Sequence, residues 1–325
     1  MLTYKKIALL AGVSESTVSK SLTGSAEIAP STAEKVRSIA CEQGYYKAKR
    51  ELKRNNSPTF SPHIAIICPE IISVFYSSVA EALIERITSS GGRATVAISR
   101  FGASEAEQIA DGIAHDPDFD GIFSMQRLSN FASLNIPTVF LADFKDSADS
   151  VRCDMNKSVD ALVEYLTSLG HKKIGFIGEM HTVYKEIIFR QSMNKRGIDI
   201  CEELIVRSDK RFFNVGKDGF WAYSGRDIFP DGVICAYDEI AFGFMSEAQK
   251  NGVRIPDDIS VVGINDTPFA EISTPPLTST SSRKEEIAHS AYDIMISRIL
   301  GSTEPYQDIC YDGIIIERQS VKERK

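Results

Sequence analysis

Residues 3–24 read T-Y-K-K-I-A-L-L-A-G-V-S-E-S-T-V-S-K-S-L-T-G, and this stretch decides how the start of the chain folds. Apolar side chains recur at helical spacing on both sides of a break at residues 11–14. They are Ile7, Ala8 and Leu10 before the break, and Val18 and Leu22 after it. The pattern predicts a helix, a tight turn and a second helix. Ser14 is placed to cap the second helix, because its hydroxyl can accept a hydrogen bond from a backbone N–H of the first turn.

The second helix is expected to turn a polar face outward if Val13 is buried between the two helices. This face carries Glu15, Ser16, Thr17, Ser19 and Lys20. Short polar side chains near a helix N-terminus suit the reading of base edges in the major groove, and a nearby lysine can contact a phosphate. A polar surface on a small helical bundle has the same spacing. The pattern alone therefore leaves both interpretations open.

The distribution of charge favours a local contact with nucleic acid. The whole chain carries a formal net charge of −7, yet residues 1–60 hold ten Lys/Arg and only five Asp/Glu. The rest of the chain is correspondingly acidic. Neutralisation of phosphates supplies much of the affinity for DNA, while an acidic body limits nonspecific association. The charges therefore argue against a protein that coats nucleic acid and for one whose first part touches it.

The next part of the chain predicts a third helix and then a basic connecting segment. Pro30 and the S-x-x-E pattern of Ser31 and Glu34 mark the start of a helix over residues 31–43. Residues 47–54 read K-A-K-R-E-L-K-R, and the polar, proline-containing N-N-S-P-T-F-S-P follows. By itself, such a segment is typical of a solvated face or of a disordered tether.

From His63 onward, apolar strand-like runs alternate with longer helical stretches. The strand-like runs lie at residues 63–68, 93–98, 120–124, 137–141, 173–177, 231–235 and 259–263. The helical stretches of the second series lie near residues 156–169, 184–196, 215–228 and 238–251. This alternation predicts parallel sheets covered on both faces, arranged as two similar α/β lobes. Because ligands of open α/β sheets bind beyond the carboxyl ends of the strands, we expect the ligand in a cleft between the lobes.

Several classes of protein are disfavoured by what the sequence lacks. It contains no phosphate-binding or dinucleotide-binding glycine motif, no H-E-x-x-H and no G-x-S-x-G, which favours binding over catalysis. The six cysteines are scattered without a C-x-x-C pair, so we expect neither a metal site nor a cofactor. The N-terminus has no apolar signal-peptide core, and no run is long enough to cross a membrane. A cytoplasmic location is expected.

Six segments of the sequence resemble the LacI/GalR family of transcriptional repressors. Two lie in the first part, A-G-V-S-E-S-T-V-S-K-S-L-T-G (11–24) and S-T-A-E-K-V-R-S-I-A-C-E-Q-G-Y (31–45). Four lie in the body, L-G-H-K-K-I-G-F-I-G (169–178), Y-D-E-I-A-F-G (237–243), R-I-P-D-D-I-S-V-V-G-I-N-D (254–266) and T-P-P-L-T-S (274–279). The resemblance implies an all-α helix-turn-helix headpiece at residues 1–46, a hinge helix and linker at 47–62, and an effector-binding and dimerisation domain at 63–325. That last domain would have the two-lobed fold of periplasmic binding proteins.

The same resemblance implies which residues contact double-stranded operator DNA. In this family the helix after the turn lies in the major groove, and a leucine of the hinge helix enters the minor groove. The residues that occupy these positions are Thr3, Glu15, Ser16, Thr17, Ser19, Lys20 and Tyr45 for the headpiece and Leu52 for the hinge. Lys20 stands where the family usually has arginine, and lysine is a point donor without the planar fork that holds guanine.

Effector-binding positions follow in the same way. The residues that match them are Phe75, Asp143, Lys185, Phe220, Asp238 and Asn265. Aromatic rings would cover the apolar faces of a sugar, and planar polar groups would hold its hydroxyls. The chain is thus expected to be a homodimeric repressor of carbohydrate-utilisation genes, whose operator binding is controlled by a small sugar or sugar derivative. Lys185 replaces an arginine and Asn265 an aspartate, so the effector cannot be copied from a relative.

Two functions of other classes remain open from the sequence. One is a sugar-binding module whose helical head docks a protein. The other is an enzyme of sugar metabolism built on the two-lobed body, for which Asp143 or Asp238 would be needed for turnover. Neither accounts for a basic helical hairpin that presents Ser16, Thr17 and Ser19 outward.

Overall fold

The computed structural model describes residues 3–55, 60–142, 148–226 and 228–324, without the side chains of residues 53–55. Its elements follow in chain order. The helices are α1 (Tyr4–Ala11), α2 (Glu15–Leu22), α3 (Pro30–Glu42), α4 (Tyr45–Asn55), α5 (Val74–Ser89), α6 (Ala103–Ala114), α7 (Met155–Ser168), α8 (Val183–Lys195), α9 (Phe213–Ser224), α10 (Asp238–Lys250), α11 (Pro268–Ile272) and α12 (Lys284–Ile299). The strands are β1 (His63–Cys68), β2 (Arg93–Ile98), β3 (Gly121–Ser124), β4 (Thr138–Phe140), β5 (Asp149–Asp154), β6 (Ile174–Glu179), β7 (Ile205–Ser208), β8 (Gly232–Cys235), β9 (Ser260–Asn265), β10 (Thr278–Ser281), β11 (Asp308–Asp312) and β12 (Ile315–Ile316).

The predicted helix-turn-helix is confirmed. Gly12 ends α1 in the left-handed conformation, with φ of 68°, which glycine adopts without the steric cost of a side chain. The hydroxyl of Ser14 then caps α2 and accepts a hydrogen bond of 3.0 Å from the backbone N–H of Thr17. These two residues set the turn between the helices, because one reverses the chain and the other satisfies the first turn of α2.

The headpiece has a small apolar core of its own. Its buried residues are Ile7, Ala8, Ala11, Val18, Val36, Ala40 and Tyr46. The start of α3 differs from the prediction. The helix begins at Pro30, with Ala29 at the cap position and no side-chain cap, so Ser31 lies inside the helix and the S-x-x-E pattern forms no capping box.

Both sheets of the body repeat one strand order. The first sheet runs β11-β5-β4-β3-β1-β2, and the second runs β12-β10-β9-β8-β6-β7. In each, the five strands other than β11 and β12 follow the order 2-1-3-4-5 of doubly wound folds. Within each sheet, the neighbouring strands among these five pair in parallel, whereas β12 pairs antiparallel with β10. The prediction of two similar α/β lobes with parallel sheets is confirmed.

The chain divides into two compact units. The first comprises Met1–Ile72, Tyr76–Arg152 and Glu285–Ile309, and the second comprises Ser73–Phe75, Cys153–Lys284 and Cys310–Lys325. The strands β6, β8 and β9 are buried along their whole length in the core of the second unit. Within the described residues, none of the helices combines the length and apolar character that a membrane crossing requires.

Candidate nucleic-acid interface and ligand site

The outward face of α2 carries the side chains that the sequence selected. Val18 is fully buried in the headpiece core, which turns the opposite side of the helix to solvent. Glu15 and Ser16 are exposed, whereas Thr17, Ser19 and Lys20 are half-buried. This geometry gives a short polar surface at the N-terminal end of a helix, where base edges and phosphates can be contacted.

Two of these side chains already have partners within the headpiece. The hydroxyl of Thr17 lies 2.9 Å from that of Ser14, so it belongs to the cap of α2. The ammonium of Lys20 forms an ion pair with Glu27, which lies after the helix. An exposed pair of this kind is weak, typically below about 1 kcal/mol. A phosphate could therefore replace Glu27 as the partner of Lys20.

The remaining predicted DNA contacts lie around the ends of α1 and α4. Thr3 is exposed at the N-cap of α1. Tyr45 is half-buried, and its hydroxyl lies 3.4 Å from that of Tyr4, while its neighbour Tyr46 enters the core. Leu52 on α4 keeps 44% of its surface exposed. A large apolar side chain in this position has a face available for insertion between base pairs.

Arg50 is a buried residue whose contacts were not predicted from the sequence. It lies in the basic run, yet only 7% of it is exposed. Its guanidinium donates hydrogen bonds to three backbone carbonyls of the first unit, those of Ala114, Phe119 and Asn135. Arg50 thus joins α4 to the C-terminal end of α6, whose last carbonyls need donors. No local pattern in the sequence indicates this role, because a basic run is usually solvated.

Polar and aromatic residues of the second unit gather where its parallel strands end. Glu179 is the last residue of β6, Asn265 is the last of β9, and Tyr237 follows β8. The hydroxyl of Tyr237 accepts a hydrogen bond of 3.0 Å from the backbone N–H of Phe212, which precedes α9. Carboxyl ends of parallel strands form the usual ligand edge of such a sheet.

Lys185 lies buried beside this edge. Its ammonium donates a hydrogen bond of 2.7 Å to the carbonyl of Ala236, directly after β8. Burial lowers the pKa of Lys185 to about 8, although the negative charges of Asp238, Glu239 and Glu179 oppose the shift. A lysine held among carboxylates can donate to a ligand hydroxyl or neutralise a ligand carboxylate.

Asp238 lies inside the second unit, and its contact with the effector stays a prediction. Its side chain has no exposed surface, and its two oxygens accept hydrogen bonds of 2.6 Å from the Thr267 backbone N–H and from the Ser279 hydroxyl. Both oxygens therefore face protein groups. Asp238 holds the loop after β9 in place and so positions Asn265.

Phe220 is also buried in the second unit, and its role as an effector contact stays a prediction. It is 2% exposed and packs edge-to-face on Phe244, with ring centroids 6.0 Å apart, inside the core of the second unit. Its ring therefore has no face for a ligand in this structure. Sequence matching selected Phe220 because it is aromatic and lies in the right helix, but the inward face of α9 takes it into the core.

Phe212, at the N-cap of α9, is a second aromatic residue at the ligand edge, beside Tyr237. Its backbone has a φ of 57°, a strained value for a bulky residue. Its ring lies 6.1 Å from that of Tyr237, and the guanidinium of Arg211 sits 4.6 Å above it. The two consecutive phenylalanines at the start of the helix, Phe212 and Phe213, were the available sequence signal.

Asn265 ends β9 in an unusual backbone conformation. Its φ is 106° and that of Asp266 is 49°, and asparagine and aspartate tolerate such values better than most residues. The next carboxylate, that of Asp266, forms a 2.8 Å ion pair with Arg318. Backbone strain of this type concentrates at functional sites. Asn265 itself is 8% exposed and remains a prediction as an effector ligand.

A buried carboxylate, that of Glu179, faces Arg211. Glu179 is 3% exposed, and one of its oxygens accepts a hydrogen bond of 2.9 Å from the backbone N–H of His181. The other oxygen lies 3.9 Å from the Nε of Arg211 and makes no hydrogen bond within the described part of the chain. This oxygen is therefore a ready acceptor for a ligand hydroxyl.

Phe75 and Asp143 are the remaining two residues that were predicted to contact the effector. Residues 73–75 pack with the second unit, and the backbone N–H of Val74 donates a hydrogen bond of 3.1 Å to Glu239. Phe75, the next residue, is half-buried near the ligand edge. Asp143 lies outside the described residues. Among those that are described, no group of three His, Cys, Asp or Glu side chains is arranged to hold a metal ion.

The buried carboxyl of Asp238 predicts a pH effect on stability. Burial raises its pKa to about 7 in the folded protein, above the unfolded value near 3.9. The folded state therefore binds the proton more tightly, and this group's contribution to stability is lost as pH rises from about 4 to about 7. We expect the melting temperature of the wild type to fall over this interval relative to that of Asp238→Asn. Parallel melting curves of the two proteins from pH 4 to pH 8 would contradict this.

Comparison with known proteins gives matches over both parts of the chain. The family model of bacterial regulatory proteins of the lacI family matches residues 3–47, and that of periplasmic binding protein-like domains matches residues 163–321. The HTH-type transcriptional repressor PurR of Vibrio atlanticus is 27% identical over 341 residues, which cover 99% of each chain.

Two solved structures show the same fold over nearly the whole chain. The lac repressor dimer bound to operator and the anti-inducer ONPF matches with a TM-score of 0.73 at 20% identity, over 99% of both chains. The complex of the transcriptional regulator CelR with cellobiose matches with a TM-score of 0.66 at 22% identity, over 98% of this chain and 100% of the other.

Proposed function

The chain belongs to the LacI family of bacterial regulatory proteins, and from this premise we propose that it represses carbohydrate-utilisation genes under the control of a sugar. The family consists of DNA-binding regulators, which supports binding over turnover. The regulator would act in the cytoplasm as a homodimer on operator DNA, with a headpiece at residues 1–46, a hinge at 47–62 and an effector domain at 63–325.

The observation that carries the proposal is the polar edge of the second sheet. Glu179 and Asn265 end the strands β6 and β9, which lie on either side of β8, and the ammonium of Lys185 on α8 donates to the carbonyl of Ala236 just after β8. Phe212 and Tyr237 add aromatic rings beside them. Planar hydrogen-bonding groups next to aromatic faces are the chemistry that holds sugars, since the ring hydroxyls and the C–H faces need different partners.

A sugar is favoured over other small molecules by the mixture of charges at this edge. Lys185 and Arg211 supply donors and Glu179 and Asn265 supply acceptors, and the hydroxyls of a neutral polyol can use both. The cellobiose complex of the regulator CelR, which shares the fold, is in keeping with such a ligand. Phe75 would cover one side of the ligand, and Asp143 stays a predicted contact.

The route from effector to DNA would use a two-state coupling. The helix α5 and its counterpart in the second unit would form the dimer, which places two copies of α2 on a two-fold symmetric operator. Leu52 would enter the minor groove from the paired hinges. Binding of the sugar would favour the state in which the two headpieces cannot bind together, so it would act as an inducer. Coupling of this kind typically changes affinity by about 5- to 150-fold.

A thermal-shift panel tests the ligand class. Purified protein is heated with mono- and disaccharides, sugar phosphates, nucleosides and purines. We expect one sugar to raise the melting temperature, because a ligand at about 100 times its Kd stabilises the folded state by roughly 2.7 kcal/mol. Stabilisation by a nucleoside or purine instead would replace the sugar by that class, and no stabilisation by any compound would contradict the proposed effector.

The variant Lys185→Met locates the ligand. It removes the buried ammonium while keeping an unbranched apolar side chain of similar length, and we expect the affinity for the sugar to fall by roughly 10- to 100-fold. Lys172→Met, at an exposed lysine before β6, is the matched control and should bind normally. Equal calorimetric affinities for both variants would place the sugar elsewhere.

A further inference from the structure

Cys41 lies where α3 of the headpiece contacts residues 133–135 of the same compact unit. Its sulfur is 3.7 Å from the carbonyl of Ser133, and the side-chain amide of Asn135 donates a hydrogen bond of 3.3 Å to it. Ser133 and Asn135 belong to the loop that leads into β4. The thiol is therefore half-buried in a contact between two parts of the chain and forms no disulfide.

His115 and Asp111, at the end of α6, complete a relay behind the thiol. The Nδ1 of His115 lies 2.7 Å from the carbonyl of Asp111 and 3.3 Å from its carboxylate. His115 and Cys41 line the same cavity, and the imidazole is the group that acts most strongly on the thiol. The ring of Tyr46 packs edge-on at 5.2 Å and fixes the plane of the imidazole.

Reagents can reach this group from one side. Cys41, His115 and Asp111 line a cavity of about 890 Å³ that is open to solvent, together with residues of α3 and of the turn before it. The sulfur, the base and the carboxylate are thus arranged as in thiols that are activated by a histidine. Buried thiols elsewhere in the chain, such as Cys68 and Cys235, lie in apolar surroundings, and burial raises the pKa of both.

We propose that Cys41 is a peroxide-reactive thiol activated by His115, and that it makes the contact between α3 and residues 133–135 sensitive to oxidation. The thiolate attacks one oxygen of hydrogen peroxide, the S–O bond forms, and the O–O bond breaks. The sulfur loses two electrons and becomes a sulfenic acid, and the leaving hydroxide takes the proton of the imidazolium to form water. Thiolate, imidazolium and peroxide are consumed, and sulfenic acid, imidazole and water are produced.

The surrounding charges support the ionised pair. The neighbouring imidazole of His115 lowers the pKa of Cys41, against the effect of its burial, and the thiol in turn raises the pKa of His115. The charged and titratable groups that face the sulfur from the neighbouring elements are Asp111 and His115 on α6, and Tyr46 and Arg50 on α4. Arg37 and Glu42 of α3 line the same cavity.

Oxidation has a structural consequence because of where the sulfur lies. The added oxygen must fit between α3 and the residues 133–135, and close-packed contacts tolerate little added volume. Three hydrogen bonds of Arg50 hold α4 to the same region. Oxidation of Cys41 would therefore loosen the contact between α3 and residues 133–135.

Thiol reactivity, measured without DNA or sugar, tests the inference independently of the proposed function. The full chain is treated with limiting iodoacetamide at pH 7 and, separately, with hydrogen peroxide and dimedone, and each cysteine is followed by mass spectrometry. We expect Cys41 to react several-fold faster than Cys310, which is exposed, since a lowered thiol pKa raises the fraction of reactive thiolate at pH 7. Cys41 reacting no faster than Cys310 would overturn the inference.

The variant His115→Gln separates activation from exposure. It keeps a hydrogen-bonding side chain but removes the base, so the rate at Cys41 should fall to that at Cys310 while the rate at Cys310 stays the same. An unchanged rate at Cys41 would overturn the role of His115. The pH profile of the wild type gives a second readout that needs no variant. Its midpoint for Cys41 should lie below the ordinary thiol value near 8.5, and a midpoint at or above that value would overturn the inference too.

Discussion

Replacing Ser16 and Lys20 together with alanine is expected to lower the affinity for operator DNA by roughly 1000-fold. Both side chains lie on the outward face of α2, one turn apart, and a dimer presents them twice. Each lost contact to a base edge or phosphate costs about 1 kcal/mol or more, so four of them remove about 4 kcal/mol. The headpiece core should be unaffected, because Val18 and not these residues fills it.

The double variant Lys35→Ala with Ser38→Ala is the matched control. Lys35 and Ser38 are exposed on α3, and replacing them removes the same two residue types from the same headpiece. Fluorescence anisotropy at fixed salt should show operator affinity within a few-fold of the wild type. If the control loses affinity as the α2 variant does, α2 is not the element that reads the operator. The α2 variant should also show a shallower dependence of affinity on salt, since it loses one charge per protomer.

Replacing Gly216 with alanine is expected to destabilise the second unit by about 3 kcal/mol. A Cβ at this position would lie 2.0 Å from the carbonyl oxygen of Ile240 and 2.4 Å from the backbone nitrogen of Phe244. Both atoms are backbone of α10, so no side chain can rotate away and the two helices must separate. Calorimetry should show a fall of roughly 6–12 °C in the melting temperature of this unit.

This variant should also weaken ligand binding. The crossing of α9 and α10 places Phe212 beside Tyr237, with the 3.0 Å hydrogen bond between them. Gly112→Ala is the control, since Gly112 is in the helix α6 and a Cβ there would meet nothing within 4 Å. That change should stabilise the protein by about 0.5–1 kcal/mol through helix propensity. Equal melting temperatures for the two variants would contradict the close helix crossing.

Local sequence signals predicted most of the fold. The strands β1 and β2 have the predicted bounds, and α2 has its predicted cap at Ser14, because periodicity and capping depend on neighbours along the chain. The strands β5, β7, β10, β11 and β12 were not predicted. Most of them are short or alternate in exposure, and a strand of this kind is defined by the sheet it joins.

Long-range contacts explain what the sequence missed at the site. Asp238 was selected as a ligand contact, but Thr267 and Ser279, distant in sequence, occupy its oxygens. In the sequence Arg50 is part of a basic run. Only the folded chain brings the carbonyl of Phe119 and two other carbonyls to it. In each case the role of the side chain depends on which distant groups are buried next to it. A single sequence does not contain that information.

The affinity of the full chain for its operator, measured with and without the sugar found in the thermal-shift panel, tests the central claim most directly. Anisotropy titrations at one salt concentration should show selective operator binding that the sugar weakens by about 5- to 150-fold. Lys185→Met should bind the operator normally and lose this response at the same sugar concentration. An operator affinity that the bound sugar leaves unchanged, or no selective DNA binding at any salt concentration, would contradict the account.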